Sequence, residues 1–329
     1  MIEQMNIQIQ QAHAALKGQV VCTPLLSFPA LDALLGGRVY LKPENLQHTG
    51  SFKYRGALNH IRMLKGAKAP KSILAYSSGN HAQAVAKVAK DTNLPATIIM
   101  PADAPAIKIE RTRALGANLV LYDRETQSRE EVAENLPEAK ASYLIPPYDH
   151  PLTIAGQGSI GLEVSEQLGG ENLDQALICC GGGGLAAGAT LGLQIAYPNL
   201  QSYVCEPEDF DDFTRSLEKK ALQKNSRRSG SICDAIITPT PGTLTFSIAQ
   251  SCGIRGAVVS DDQALAAVGY AAQNLRLILE PGGAVALAAA LFGKVDLRGK
   301  STLILLSGGN IDSDLLLRAL ELPLPSHWD

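Results

Sequence analysis

Lys53 lies in Leu46-Gln47-His48-Thr49-Gly50-Ser51-Phe52-Lys53-Tyr54-Arg55-Gly56, just ahead of an apolar-periodic run of Ala57, Leu58, Ile61 and Leu64. A lysine at a helix start is ordinarily solvated, but its amine attacks carbonyls when burial or a nearby cation lowers its pKa. Three distant glycine-rich turns, each after a short apolar run, suggest what it would attack: Ser77-Ser78-Gly79-Asn80-His81, Gly181-Gly182-Gly183-Gly184 and Ser307-Gly308-Gly309-Asn310. Each ordered glycine costs roughly 1 kcal/mol relative to alanine, so four in a row need a reason. A tight turn accounts for one or two. The set reads as a cradle whose bare N–H groups meet a phosphate at a helix N-terminus. It is not a Walker loop, because no Gly-Lys-Ser/Thr follows, and no acidic residue closes the next strand where a dinucleotide fold places one.

A phosphate cradle together with a lysine points to pyridoxal 5′-phosphate (PLP), whose aldehyde forms a Schiff base with lysine. Ser307, ending an apolar run, could then face the pyridine nitrogen; a hydroxyl there leaves the nitrogen largely neutral, which suits β-elimination better than transamination. The Ser77–His81 turn offers N–H donors to a substrate carboxylate. Asn80 reads either as a helix cap or as a partner for the ring hydroxyl, and His81 as structural. The acidic stretch Glu206-Pro207-Glu208-Asp209-Phe210-Asp211-Asp212 is either a solvated, capping face or a hard-cation site with the Glu206 and Asp212 carboxylates and the Phe210 carbonyl.

The elements that must hold these residues follow from their order. Residues 3–17 read as a helix, 29–35 as a short helix closed by Gly36-Gly37, and 39–41 as a strand. From residue 72 the grammar is strand, glycine turn, helix: strands over 72–76, 96–100 and 117–122, helices over 81–91, 105–115 and 127–136. Pro146-Pro147-Tyr148-Asp149-His150-Pro151 marks a crossing between domains. Helices follow over 154–168, 185–195, 261–272 and 284–291, with strands over 176–180, 201–205, 257–259 and 302–306. Alternation of this kind implies parallel α/β sheets.

The 329 residues suit one large domain or two, and 46% hydrophobic content allows a substantial core. A net charge of −3 without a basic block does not imply a nucleic-acid partner. No apolar run reaches the roughly 20 residues a membrane helix needs, and no signal peptide is read at the N-terminus. The cysteines at 22, 179, 180, 205, 233 and 252 lack metal or disulfide spacing; they read as small buried hydrophobes in a reducing cytoplasm.

The segment from Lys42 to Gly56 resembles the signature of the serine/threonine dehydratases of PLP fold type II, which include serine racemase. The resemblance runs along nearly the whole chain, through Ser77 to Gln83, Ala155-Gly156-Gln157-Gly158, Gly181 to Leu185, Glu280-Pro281 and Ser307 to Asn310. It implies a tryptophan synthase β-like fold with two domains, each a mainly parallel twisted sheet flanked by helices: residues 1–66 and 150–329 binding PLP, and 67–149 closing over the substrate. Lys53 would carry the cofactor and take the Cα proton, and Ser78 would stand on the opposite ring face as a second acid/base. Phe52, Asn80, Gly181, Gly182, Gly183, Gly184, Leu185, Ala235, Glu280 and Ser307 would surround the cofactor. Ser77, Ser78, Asn80, His81 and Arg129 would meet the substrate, and Glu206, Phe210 and Asp212 a Mg²⁺, Ca²⁺ or Mn²⁺ ion.

The implied reaction is dehydration of a small 3-hydroxy amino acid (serine, threonine or 3-hydroxyaspartate) to a 2-oxo acid and ammonia, in a cytoplasmic homodimer. The alternatives are a serine racemase-type racemase and a non-catalytic amino-acid-binding protein. Cys233-Asp234-Ala235 departs from the family's frequent Ala-Asp-Gly, which alters the pocket near Ala235. Arg129, if it faces the pocket, favours serine or 3-hydroxyaspartate over threonine.

Overall fold

The computed structural model describes residues 1–64, 69–77, 79–123, 125–140 and 142–322. Among these, nine strands form two sheets in which every pairing is parallel. The strands are β1 (Arg38–Pro43), β2 (Ile73–Tyr76), β3 (Ala96–Pro101), β4 (Asn118–Tyr122), β5 (Tyr143–Leu144), β6 (Gln175–Cys179), β7 (Gln201–Pro207), β8 (Arg255–Val259) and β9 (Ser301–Leu306). The larger sheet has the order β1-β9-β6-β7-β8 and the smaller β4-β3-β2-β5. Helices cover both faces of the larger sheet, so β6 is buried at all five positions, and its Ala176–Cys179 stretch is an unbroken apolar run.

Helix ends follow local chemistry. The helices Pro29–Leu35 and Pro151–Leu168 open with proline at the first turn and end at Gly36 and Gly169 in the left-handed conformation. The helix Pro281–Leu291 also begins at its proline, three residues before the expected start. Among strands and α-helices, four go unread in the sequence: the two-residue edge strand β5, the helix Thr243–Ser251, the helix Ser313–Glu321 and the four-residue helix Pro137–Lys140. The first is too short for a periodic signal, and the second follows a polar loop that carries no helix stop or start beyond Gly242. The helix expected to run to residue 272 is α-helical over Asp261–Tyr270 and widens into a π-turn over Ala271–Leu275. Of the cysteines expected to be buried, Cys179, Cys180, Cys205 and Cys233 are; Cys22 is exposed and Cys252 half-buried.

Two features position Lys53. Its helix, Lys53–Met63, crosses Pro151–Leu168 at near backbone contact: a Cβ on Gly156 would lie 2.5 Å from the Arg55 carbonyl oxygen. The same helix pair shares a buried charge cluster. Arg55 bonds Glu44 at 2.8 Å and Glu163 at 2.9 Å, and Lys42 bonds Glu163 at 2.5 Å. The two cations and two carboxylates balance, as buried charges must. Beyond the helix start, the loop before Lys53 is clamped by the loop after β9. Phe52 N–H donates to the Ser307 carbonyl, Gly309 N–H to the Gly50 carbonyl, and Asn310 Nδ2 to the Thr49 carbonyl. Thr49 sits at φ +60°, a strained conformation for a β-branched residue that this clamp maintains.

Candidate active site

Most of the expected residues converge on one cavity between the sheets. Phe52, Lys53, Ser77, Asn80, His81, Arg129, Gly181, Gly182, Gly183, Gly184, Leu185, Ala235 and Ser307 all line it. Ser78 lies outside the described residues. Glu280 does not line the cavity: it stands behind Asn80, with its carboxylate taken by Asn80 Nδ2 at 2.5 Å and Lys108 Nζ at 2.9 Å.

The Lys53 amine donates to the Pro147 carbonyl at 2.8 Å and sits 5.0 Å from the Phe52 ring centre. Burial lowers its pKa to about 8, with a small opposing pull from Cys180. A useful fraction of the amine is therefore neutral near neutral pH, the condition for attack on an aldehyde. His81 is held near pKa 3 by burial and by Lys53, and its Nε2 meets the Ile145 carbonyl at 2.8 Å. A ring that stays neutral and is already bonded to backbone is poorly suited to act as a base.

The glycines form a cradle for reasons visible on both of its sides. Behind it, a Cβ on Gly182 would lie 2.5 Å from the Tyr148 ring, and one on Gly183, at φ +89°, would lie 2.1 Å from Phe213. In front, no N–H from Gly181 to Leu185 donates to a protein acceptor among the described residues, and the last two open the helix Gly184–Gln194. A row of orphan donors at a helix N-terminus fits a phosphate dianion. With the depressed lysine and the Ser307 hydroxyl in the same cavity, these residues fit PLP.

Arg129 is the first residue of the helix Arg129–Glu134, which Ser128 and Glu131 open with a reciprocal capping box. Its guanidinium lies 5.5 Å over the Tyr76 ring at the cavity mouth.

Glu206, Phe210 and Asp212 cluster apart from this cavity, behind the cradle. Glu206 accepts from Phe213 N at 3.0 Å and from Thr214 N and Oγ1 at 2.7 Å, capping the helix Asp212–Lys219. Asp212 accepts from Asn225 at 2.6 Å through Oδ1, while its buried Oδ2 has no partner among the described residues. Burial, with repulsion from Asp212, raises Glu206 to about 8; burial raises Asp212 to about 7. The stretch caps a helix, as one sequence reading expects, but Glu206 and Asp212 are buried rather than solvated; the Asp212 oxygen without a partner is of the kind a hard cation takes.

Several residues here escape sequence reasoning. Lys108 is 1% exposed and pairs with both Asp234 and Glu280; Arg111 reaches Asn310 at 2.5 Å. Both lie on the helix Ala106–Ala114, whose charges look solvated when read alone. Tyr148 and Asp149, marked in the sequence only as a crossing point, pack on the cradle and cap the helix Thr243–Ser251.

The chain matches the model of the pyridoxal-phosphate dependent enzymes over residues 16–308. It is 38% identical over 304 residues to an L-threo-3-hydroxyaspartate ammonia-lyase of Saccharomyces cerevisiae, covering 92% of each chain. It is 38% identical over 290 residues to a serine racemase of Schizosaccharomyces pombe, covering 88% of this chain and 89% of that one. The structure of the processed form of threonine deaminase isoform 2 from Solanum lycopersicum superposes with a TM-score of 0.87 at 32% identity, over 99% of this chain and 94% of the other. With the parallel two-sheet fold and a cavity that fits the cofactor, these likenesses establish that the chain belongs to the pyridoxal-phosphate dependent enzymes, in the fold-type II group of hydroxy-amino-acid ammonia-lyases and serine racemases.

Proposed function

We propose that the protein is a PLP-dependent ammonia-lyase that converts a small 3-hydroxy amino acid to a 2-oxo acid and ammonia by α,β-elimination. One observation carries this reading: a lysine amine of depressed pKa shares a cavity with a row of orphan backbone donors and a serine hydroxyl. When bound, PLP supplies the electron sink for the charge that develops at the substrate Cα.

The chain's own residues do the rest. The N–H groups of Gly181 to Leu185 would hold the phosphate, and Phe52 and Ala235 would bound the ring. Ser307 would meet the pyridine nitrogen without protonating it, and Asn80, backed by Glu280, would meet the ring hydroxyl. Ser77, Asn80 and His81 bound the place of the substrate carboxylate. Lys53 takes the Cα proton, and the Pro147 carbonyl orients its amine while it is free. Ser78 serves the opposite ring face. Residues 67–149 close over the substrate as a mobile domain and exclude water. Glu206, Phe210 and Asp212 hold a divalent cation, supported by the unpartnered Asp212 oxygen. The protein works as a cytoplasmic homodimer.

Arg129 at the mouth favours a substrate with an acidic distal group, and the yeast relative's name supports 3-hydroxyaspartate. The purified protein should show a visible PLP band that Lys53→Ala abolishes, and should release 2-oxo acid from a substrate panel. A colourless protein that takes up no PLP ends the proposal. Arg129→Ala should raise KM for 3-hydroxyaspartate at least about tenfold, the worth of one charge-assisted bond, and leave serine nearly unchanged; an equal effect on both substrates rejects this role. Racemisation is the second reading, favoured by the fission-yeast relative. Ser78→Ala should then abolish it while sparing elimination from L-serine, and equal loss of both rejects separate faces.

A further inference from the structure

Asn80 lines the cavity, and its amide can offer a donor or an acceptor there. Side chains behind it decide which. Glu280 Oε1 accepts from Asn80 Nδ2 at 2.5 Å, and Asn310 Nδ2 donates to Asn80 Oδ1 at 2.8 Å. Asn310 is fixed in turn. Its Oδ1 accepts from Arg111 at 2.5 Å, and its second N–H goes to the Thr49 carbonyl at 2.9 Å. Arg111 only donates and the Thr49 carbonyl only accepts, so the Asn310 amide has one orientation. At the far end Lys108 pairs with Glu280 at 2.9 Å and with Asp234 at 3.0 Å. Burial alone would lower the Lys108 pKa; Glu280 and Asp234 outweigh it and hold the ammonium charged. A fixed ammonium keeps Glu280 an acceptor. Asn80 is left with one uncommitted N–H beside the cavity.

Both cationic ends of this chain of bonds come from one helix, Ala106–Ala114, three residues apart, next to the smaller sheet. Glu280, Asp234 and Asn310 belong to loops around the larger sheet. We infer that Lys108, Arg111 and Asn310 are positioning residues that fix the Asn80 amide and so make the donor to the cofactor's ring hydroxyl depend on the seating of the helix Ala106–Ala114. The inference rests on the reading that Asn80 faces that hydroxyl. Unseating the helix leaves Glu280 buried without a counter-charge and Asn310 without the donor that orients it. Asn80 is then free to turn its oxygen toward the ring oxygen and repel it. Gly308 permits the arrangement, since a Cβ there would lie 2.1 Å from Glu280 Oε1 and 3.1 Å from Asn80 Nδ2.

The test titrates apo-protein with PLP and records the visible band and dissociation constant. Asn80→Ala is the reference. Asn310→Asp still accepts from Arg111 but cannot donate to Asn80 or Thr49. It should shift the band as Asn80→Ala does and weaken PLP about tenfold, the worth of one lost hydrogen bond. Arg111→Ala, at an exposed residue whose loss the fold tolerates, should do the same more weakly, and Arg111→Lys should restore the band. The double variant Asn80→Ala/Asn310→Asp should match Asn80→Ala alone, since both act through one group. If Asn80→Ala shifts the band while Asn310→Asp and Arg111→Ala leave band and affinity at wild type, the positioning role is wrong and the reading of Asn80 stands. If Asn80→Ala itself changes nothing, both fall. Should Asn310→Asp fail to fold, the Arg111 pair decides.

Discussion

At the scale of single residues, the chemistry depends on proton occupancy. Lys53 has a pKa near 8 because its amine is buried. Below that value the neutral fraction rises tenfold per pH unit, and above it the fraction levels off. The rate of PLP uptake by apo-protein should therefore climb roughly tenfold per unit up to about pH 8 and then flatten, as followed by stopped-flow absorbance. An uptake rate flat from pH 6 to 8 would mean that another step governs capture. The lysine and the glycines are legible because their oddness is local: a nucleophile beside small residues, and four consecutive residues without side chains. Lys108 and Arg111 are not. Their partners lie more than a hundred positions away in sequence, at Asp234, Glu280 and Asn310, and no periodicity marks a buried cation among surface ones.

At the scale of elements, the cradle is a backbone shape held from behind. Gly183→Ala places a methyl group 2.1 Å from Phe213 at a residue with φ +89°. It should cost about 2–4 kcal/mol in a denaturant titration and abolish PLP uptake, since the ring or the loop must move. Gly293→Ala is the control: φ is +62° but nothing lies within 4 Å, so only about 1 kcal/mol of backbone strain is expected and PLP uptake should be intact. Strands and long helices are readable from apolar runs and capping residues. Exact ends are less so, and Pro281 marks the helix start only if proline is read as an opener rather than a breaker. The edge strand β5 exists because β2 offers it a partner, which is a tertiary fact.

At the scale of the whole molecule, Glu206 and Asp212 tie stability to pH. Their folded pKa values, about 8 and about 7, lie above the ordinary carboxylate range. Between about pH 5 and pH 8 the folded protein keeps protons that the unfolded chain has lost, so stability falls as pH rises through this window. The divalent cation proposed for these carboxylates would replace the protons and remove the loss. After EDTA treatment, adding Mg²⁺ should raise the thermal midpoint by a few degrees at pH 8 and hardly at all at pH 5; no difference between the two would count against a cation at these residues. The gain should reach the active site, because Phe213, the residue after Asp212, packs against Gly183 of the cradle.

The clamp between the Lys53 loop and the loop after β9 also orders events in time. In β1 pairing with β9, Arg38 meets Ser301, so the strand leading into the lysine loop waits for one of the last made. The smaller sheet, complete by Leu144, has all its strands long before that. During synthesis the lysine is thus among the early residues to emerge and among the last to be seated, because Thr49, Gly50 and Phe52 have no clamp until residues 307–310 arrive. A properly seated lysine therefore requires residues 307–310, and a nascent chain stalled before β9 is a body without a working amine.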